Sequence, residues 1–171
     1  MGVHICEIPM NKGYVFVTVG STDFDLLTRA VDDLCAPGQI LANYDVEMQI
    51  GEGTYEPAYA RFFRFAPSLM PYFERAELVI AHGGLGTAVE AIGCGSRLLA
   101  VANPDRYDHH QEDLLCTLAD AGNLMWCSDL EHMEENVRAA LQFEPQPYVC
   151  PPCSIHEVIG KYLRERPRKV R

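Results

Sequence analysis

Positive charge is scarce in this sequence. Its 14 Lys and Arg stand against 24 Asp and Glu, giving a formal net charge of −10 and a pI near 4.9. A body that acidic does not attract a nucleic-acid backbone, which needs clustered basic side chains, so no nucleic-acid partner is expected. Long hydrophobic runs are missing as well. Apolar stretches such as Tyr14–Val19 and Leu98–Ala102 fall far short of the roughly 20 residues a membrane span requires. Residues 1–12 carry no basic start followed by a long apolar stretch, so a secretory leader is not expected there and a cytoplasmic chain is.

Cysteine pairing signals are equally thin. The seven cysteines (Cys6, Cys35, Cys94, Cys116, Cys127, Cys150 and Cys153) are odd in number and scattered through apolar segments, which predicts buried thiols in a reducing compartment. Only Cys150-Pro-Pro-Cys153 has metal-like or redox-like spacing. A zinc site needs a second pair, so a loop before the last helix is the favoured reading, with a redox or metal switch as the rival. Three nucleotide or catalytic motifs are also absent. Gly84-x-Gly86 is followed by Val89 where a dinucleotide fingerprint needs its third glycine, and no Gly-Lys-Ser/Thr completes a Walker A loop. No G-x-S-x-G elbow occurs, which leaves Ser21 a poor nucleophile.

What is present fits one α/β domain. With 171 residues, 48% hydrophobic and 22% charged, the chain has the composition of a single ordinary globular core. Strands are predicted over residues 14–19, 44–50, 60–65, 78–81, 98–102 and 124–127. Helices are predicted over 23–35, 68–75, from after Gly86 to about Cys94, and over 111–121, 130–141 and 155–166. Alternation of this kind implies a Rossmann-like parallel sheet with helices on both faces. The expected organisation is an N-terminal extension over 1–13, a Rossmann-like domain over 14–143, and a Pro-rich connector, closing helix and basic tail over 144–171.

Ligands of such sheets sit at the carboxyl ends of strands, where three loops concentrate polar residues and glycines. In His82-Gly-Gly-Leu-Gly-Thr87 the glycines permit a tight turn, and the following helix N-terminus suits a phosphate; a plain turn is the alternative. Glu90 follows Thr87 by three residues. That spacing fits either a capping box or a carboxylate that grips a ribose. Asp108-His-His-Gln111 supplies a helix cap and neutral groups for sugar hydroxyls, and adjacent His109 and His110 do not make a metal pair. Gly20-Ser-Thr-Asp23 offers amides and hydroxyls to a phosphate, or a cap for the first helix through Thr22 or Asp23.

Together, Val15-Phe-Val-Thr-Val-Gly-Ser-Thr22, Gln49-Ile-Gly-Glu-Gly-Thr54, His82-Gly-Gly-Leu-Gly-Thr87 with Glu90, and Asp108-His-His-Gln111 resemble a known family. It is that of the donor-binding, catalytic subunits of two-part dolichol-linked N-acetylglucosaminyltransferases, similar in turn to the C-terminal half of the bacterial lipid II-forming enzyme. The resemblance implies the donor half of a GT-B glycosyltransferase, with UDP-N-acetylglucosamine as donor and dolichyl-diphosphate-N-acetylglucosamine as acceptor. It also implies a membrane-anchored partner subunit that recruits the chain to the cytosolic face of the endoplasmic reticulum, and no metal or other cofactor. Carried over by position, Gly20, Ser21, Thr22, Gly83, Gly84, Gly86 and Thr87 face the diphosphate. Glu90 holds the ribose, Gln111 and His110 contact the sugar, and His82 is the candidate catalytic residue beside the diphosphate. The sequence departs from the family pattern at Ala81, Gly83, Leu85, Arg97 and His109. Related bacterial subunits use glucuronic acid or galactose donors, which stay open, as does a nucleotide-sugar-binding regulatory subunit without turnover.

Overall fold

The computed structural model describes residues 13–103, 110–149 and 154–165. Six strands form one sheet: β1 (Tyr14–Thr18), β2 (Asp45–Gln49), β3 (Arg61–Phe63), β4 (Leu78–His82), β5 (Leu98–Val101) and β6 (Met125–Cys127). Their spatial order is β3-β2-β1-β4-β5-β6, and every neighbouring pair is parallel. The helices are α1 (Asp25–Asp33), α2 (Met70–Arg75), α3 (Leu85–Gly93), α4 (His110–Asp120), α5 (Met133–Ala140) and α6 (Ile155–Glu165). The expected Rossmann-like sheet is therefore formed.

The uninterrupted apolar character of β1, β4 and β5 follows from burial on both faces. Alternate side chains divide into two cores. Val15, Val17, Ile80 and Leu99 meet Leu27 and Val31 of α1 and Val137 of α5 on one side. Phe16, Val79, Leu98 and Ala100 meet Phe73 of α2, Ala91 of α3 and Leu115 of α4 on the other. Phe16 is fully buried, stacked on Tyr72 with ring centroids 4.9 Å apart and edge-on to Phe73 at 5.7 Å. Burying such a ring contributes roughly 1.5–3 kcal/mol.

Several expected elements are shorter than the sequence suggests. The 60–65 strand contracts to Arg61–Phe63: the Ala60 amide before it donates to Asp32, and the Arg64 guanidinium after it donates to the carbonyls of Gly51 and Gly53. The single helix expected over 130–141 is split. Asp129 accepts from the Glu131 amide and starts a 3-10 turn at Leu130–His132, after which α5 begins at Met133. The expected cap of α1 by Thr22 or Asp23 is not made, since the helix begins after Phe24 with no side-chain cap. Of the cysteines, Cys127 is buried while Cys35, Cys94 and Cys116 are only partly so. Burial pushes the Cys35 thiol up to about 12, with the Asp32 charge adding to the effect. Cys6, Cys150, Cys153 and the tail beyond Glu165 lie outside the described residues.

Beyond α5 the chain returns along the amino-terminal edge of the sheet. Arg97 donates to the Phe143 carbonyl (2.7 Å) and to Glu144 (2.7 Å), and Asn123 donates to the Gln146 carbonyl (3.0 Å). The first residues of the Pro-rich connector are thus tied to the domain. α6 carries the expected apolar stripe at helical spacing, and Ile155, Val158, Ile159, Tyr162 and Leu163 are all more than half exposed. No helix among the described residues is long and apolar enough to cross a membrane.

The link from β2 to β3 is a parallel crossover without a helix, so its backbone needs other partners. Asp32, on the inner face of α1 and fully buried, supplies them. Its carboxylate accepts from the amides of Ala58 (2.7 Å), Tyr59 (3.0 Å) and Ala60 (3.0 Å) and from the Tyr55 hydroxyl (2.8 Å). Replacing Asp32 with Ala strands these donors and is expected to cost on the order of 3 kcal/mol, read as a lower urea midpoint. Near-wild-type unfolding of that variant would show that the crossover does not depend on the carboxylate.

Candidate functional site

Strand order reverses between β1 and β4, so the crevice outside their carboxyl ends is the natural ligand position. The segment after β1 and the two-residue link from β4 to α3 both open there. His82 is the last residue of β4 rather than a loop residue, and its imidazole lies between the two segments. A Cβ on Gly20 would stand 2.8 Å from His82 Cε1, and one on Gly84 would collide with His82 Nε2. Gly20 also has φ +73°, a conformation that side chains strain. Both glycines are therefore required by the ring they enclose.

Three of the glycine amides expected at a diphosphate already have acceptors. Gly20 N–H donates to Thr18 Oγ1 (3.0 Å), Gly83 N–H to the Val101 carbonyl (2.7 Å) and Gly84 N–H to the His82 carbonyl (2.8 Å). A Cβ at Gly83 would stand 2.6 Å from Leu115 Cδ1, so this glycine lets α4 pack closely. The donors aimed outward are those of the first turn of α3, at Leu85, Gly86 and Thr87, which have no acceptor within the helix. Gly86 is exposed, with open space where a Cβ would project. This turn also carries the positive end of the helix dipole, which makes it an anion seat.

The capping-box reading of Thr87 and Glu90 is overturned. Gly84 is the N-cap and no side-chain cap is formed, so Thr87 is the third helical residue and Glu90 lies well inside α3. Glu90 is exposed, and its i, i+4 relation to Gly86 places it on the face that rises from the anion seat. Ser21 is exposed beside the crevice, while Thr22 donates its hydroxyl to the Val19 carbonyl (3.2 Å). His110 and Gln111 open α4, so the helix starts one residue before its expected bound. The side chains of both, together with Asp108 and His109, lie outside the described residues. Asn103, just before that segment, reaches the Asp23 carbonyl at 3.5 Å.

Sequence reasoning assigned no role to the residues that brace the first loop. Thr18 Oγ1 donates to Gln49 Oε1 (2.6 Å), and the Asp25 carboxylate accepts from the Thr54 amide (3.0 and 3.1 Å) and hydroxyl (2.6 Å). Burial acts to raise the Asp25 carboxyl, but the Thr54 hydroxyl, the amides of Tyr55 and Thr54 and the Arg29 charge outweigh it, holding it below the usual range. The stabilisation this bond contributes is therefore complete above the ordinary carboxylate pKa and is lost as pH falls through the depressed one. The seven-residue spacing of Asp25 and Asp32, two turns on one face of α1, was the available signal. No group of three His, Cys, Asp or Glu placed to hold a metal ion occurs among the described residues.

A parallel sheet with this strand order, and an open helix N-terminus where the order reverses, defines a Rossmann-like α/β domain. The glycosyltransferase family 28 C-terminal domain matches residues 14–149, and the chain belongs to that family. It is 35% identical over 124 residues to the mouse (Mus musculus) UDP-N-acetylglucosamine transferase subunit ALG13, covering 66% of this chain and 10% of the mouse protein. The chain thus spans only about a tenth of the length of the curated relatives it matches. Among solved structures, it resembles the NMR solution structure of ALG13 (TM-score 0.57, 17% identity, 89% of this chain and 95% of that one). It also resembles MurG of Acinetobacter baumannii (TM-score 0.58, 17% identity, 92% of this chain and 51% of that one). These likenesses show the fold, the C-terminal half of a GT-B glycosyltransferase.

The two glycines flanking the anion seat make a direct test. Gly84→Ala forces the His82 ring to move and should lower the melting temperature. Gly86→Ala meets nothing and should hold or raise stability, by up to about 1 kcal/mol, because alanine favours helix. Equal melting of the two variants would contradict the packing described for His82.

Proposed function

We propose that this chain is the donor-binding subunit of an inverting glycosyltransferase. In this reading it transfers N-acetylglucosamine from UDP-N-acetylglucosamine to dolichyl-diphosphate-N-acetylglucosamine and acts only with a membrane-anchored partner subunit. The observation that carries the reading is the open first turn of α3 at the β1–β4 crevice. It sits in a chain that is 35% identical to a subunit named for UDP-N-acetylglucosamine transfer.

The chemistry follows from charge. As the glycosidic bond to the diphosphate breaks, negative charge grows on the departing UDP. The amides of Leu85, Gly86 and Thr87, with the helix dipole behind them, stabilise that charge, each such donor contributing about 2.7–4 kcal/mol in comparable sites. Ser21 and Thr22 flank the diphosphate from the other loop. Glu90 accepts from the ribose hydroxyls, and Gln111 and His110 hold the sugar. His82, enclosed by both loops, lies beside the diphosphate and steadies the leaving group. No metal is required, since fixed amides take its place.

The closing helix supplies the partner contact. Its exposed stripe of Ile155, Val158, Ile159, Tyr162 and Leu163 docks on the membrane-anchored subunit, which brings the chain to the cytosolic face of the endoplasmic reticulum.

Three measurements test this reading. UDP binding, followed by calorimetry, should persist in excess chelator. Glu90→Gln should weaken it markedly with little change in melting temperature, because Glu90 caps nothing. Loss of binding with chelator, restored by magnesium or manganese, would contradict the amide mechanism. Truncation after Pro152 should abolish sedimentation with partner-containing membranes and leave UDP binding intact. A truncated chain that still sediments would rule out docking through α6.

A further inference from the structure

The Gly20–Thr22 loop lies beside the anion seat, yet it has no side-chain cap where it enters α1. Its support comes from a second turn, Gly51–Thr54, which follows β2. Val19 N–H donates to the Gln49 carbonyl (3.1 Å), and Glu52 N–H donates to the Thr22 carbonyl (3.2 Å). The Thr18 hydroxyl joins Gln49 Oε1 (2.6 Å) to the Gly20 amide (3.0 Å). Asp25, the first residue of α1, closes the ring by accepting from both the amide and the hydroxyl of Thr54. On its far side the turn is braced by Arg64, whose guanidinium donates to the carbonyls of Gly53 (2.7 Å) and Gly51 (3.3 Å).

The two turns fit without slack. Gly51 has φ +52°, and a Cβ there would collide with the Thr22 carbonyl oxygen and stand 2.8 Å from that of Gly20. A Cβ on Gly53 would stand 2.9 Å from the Ile50 carbonyl oxygen and 2.5 Å from Asp25 Oδ1. The backbone of residues 20–22 is therefore set largely by its neighbour, with the Thr22 hydroxyl on the Val19 carbonyl (3.2 Å) as a tie within the loop itself.

We propose that the Asp25–Thr54 latch and the Thr18–Gln49 bond are positioning elements for the diphosphate loop, acting on donor binding through Gly20–Thr22 without touching the donor. This rests on the donor-site reading above. Thr54 is exposed and Asp25 half-buried, and neither belongs to the two apolar cores, so removing the latch leaves the fold standing and frees the loop. Losing a hydrogen bond to a charged group such as the diphosphate costs roughly tenfold to a hundredfold in affinity. The loss falls on the diphosphate and spares the nucleoside, which distinguishes positioning from general damage.

The test uses the full chain and four proteins: wild type, Thr54→Val, Thr54→Ser and Asp25→Asn. UDP affinity is read by calorimetry and uridine affinity by NMR titration. Thr54→Val and Asp25→Asn should weaken UDP by between about tenfold and a hundredfold with uridine unchanged, and Thr54→Ser, which keeps the hydroxyl, should bind UDP as wild type does. UDP affinity unchanged in Thr54→Val and Asp25→Asn overturns the positioning role while leaving the donor site intact. Parallel loss of UDP and uridine also overturns it, since that is structural damage. Failure of the wild type itself to bind UDP overturns the donor-site reading.

Discussion

Val15 to Thr18 of β1 lie beside Leu78 to Ala81 of β4, and at this pairing the winding of the sheet reverses. The helix after β1 packs on one face and the helix after β4 on the other, so the two connections part and leave a crevice between them. Every feature of the site depends on that divergence. The Gly20 loop and the Gly83-Gly84 link meet only because their strands are neighbours, and His82 fills the space where they meet. Moving β4 by one residue against β1 would turn His82 to the opposite face of the sheet.

Polar satisfaction ties the site to the rest of the domain. α1 is amphipathic in an unusual sense, because one edge of it presents Asp25 and Asp32, and both carboxylates accept from the chain that runs from β2 to β3. Asp32 takes the role a crossover helix would play by giving the irregular backbone its acceptors. Asp25 links the same segment to the loop beside the anion seat. Stability and site geometry therefore share one helix face, with the deeper carboxylate serving the fold and the shallower one the loop.

The sheet was legible in the sequence because its central strands are buried on both faces and read as continuous β-branched and apolar runs. The glycine-rich link after β4 was legible for the same reason, as the break that ends such a run. What escaped was set by tertiary partners. Thr87-x-x-Glu90 has the letters of a capping box, but the helix starts at Leu85 because Gly84 is drawn into the link by its bond to the His82 carbonyl. The third strand is short because the Ala60 amide before it is bonded to Asp32, and after it Arg64 reaches across to the carbonyls of the Gly51–Thr54 turn. The amides of Gly20, Gly83 and Gly84 turned out to be occupied. A glycine marks close backbone approach, and which partner it approaches is decided by packing, here His82 and Leu115.

The central claim is that a nucleoside diphosphate seats on the first turn of α3 beside the Gly20 loop. Amide-resolved NMR of the full chain titrated with UDP measures this most directly. The account predicts that the largest shifts fall at Leu85, Gly86 and Thr87, with a second group at Gly20–Thr22, and that the amides of Arg97, Asn123 and Gln146 on the opposite edge stay still. Shifts centred on that opposite edge, or saturable binding that leaves the first turn of α3 unperturbed, would contradict it.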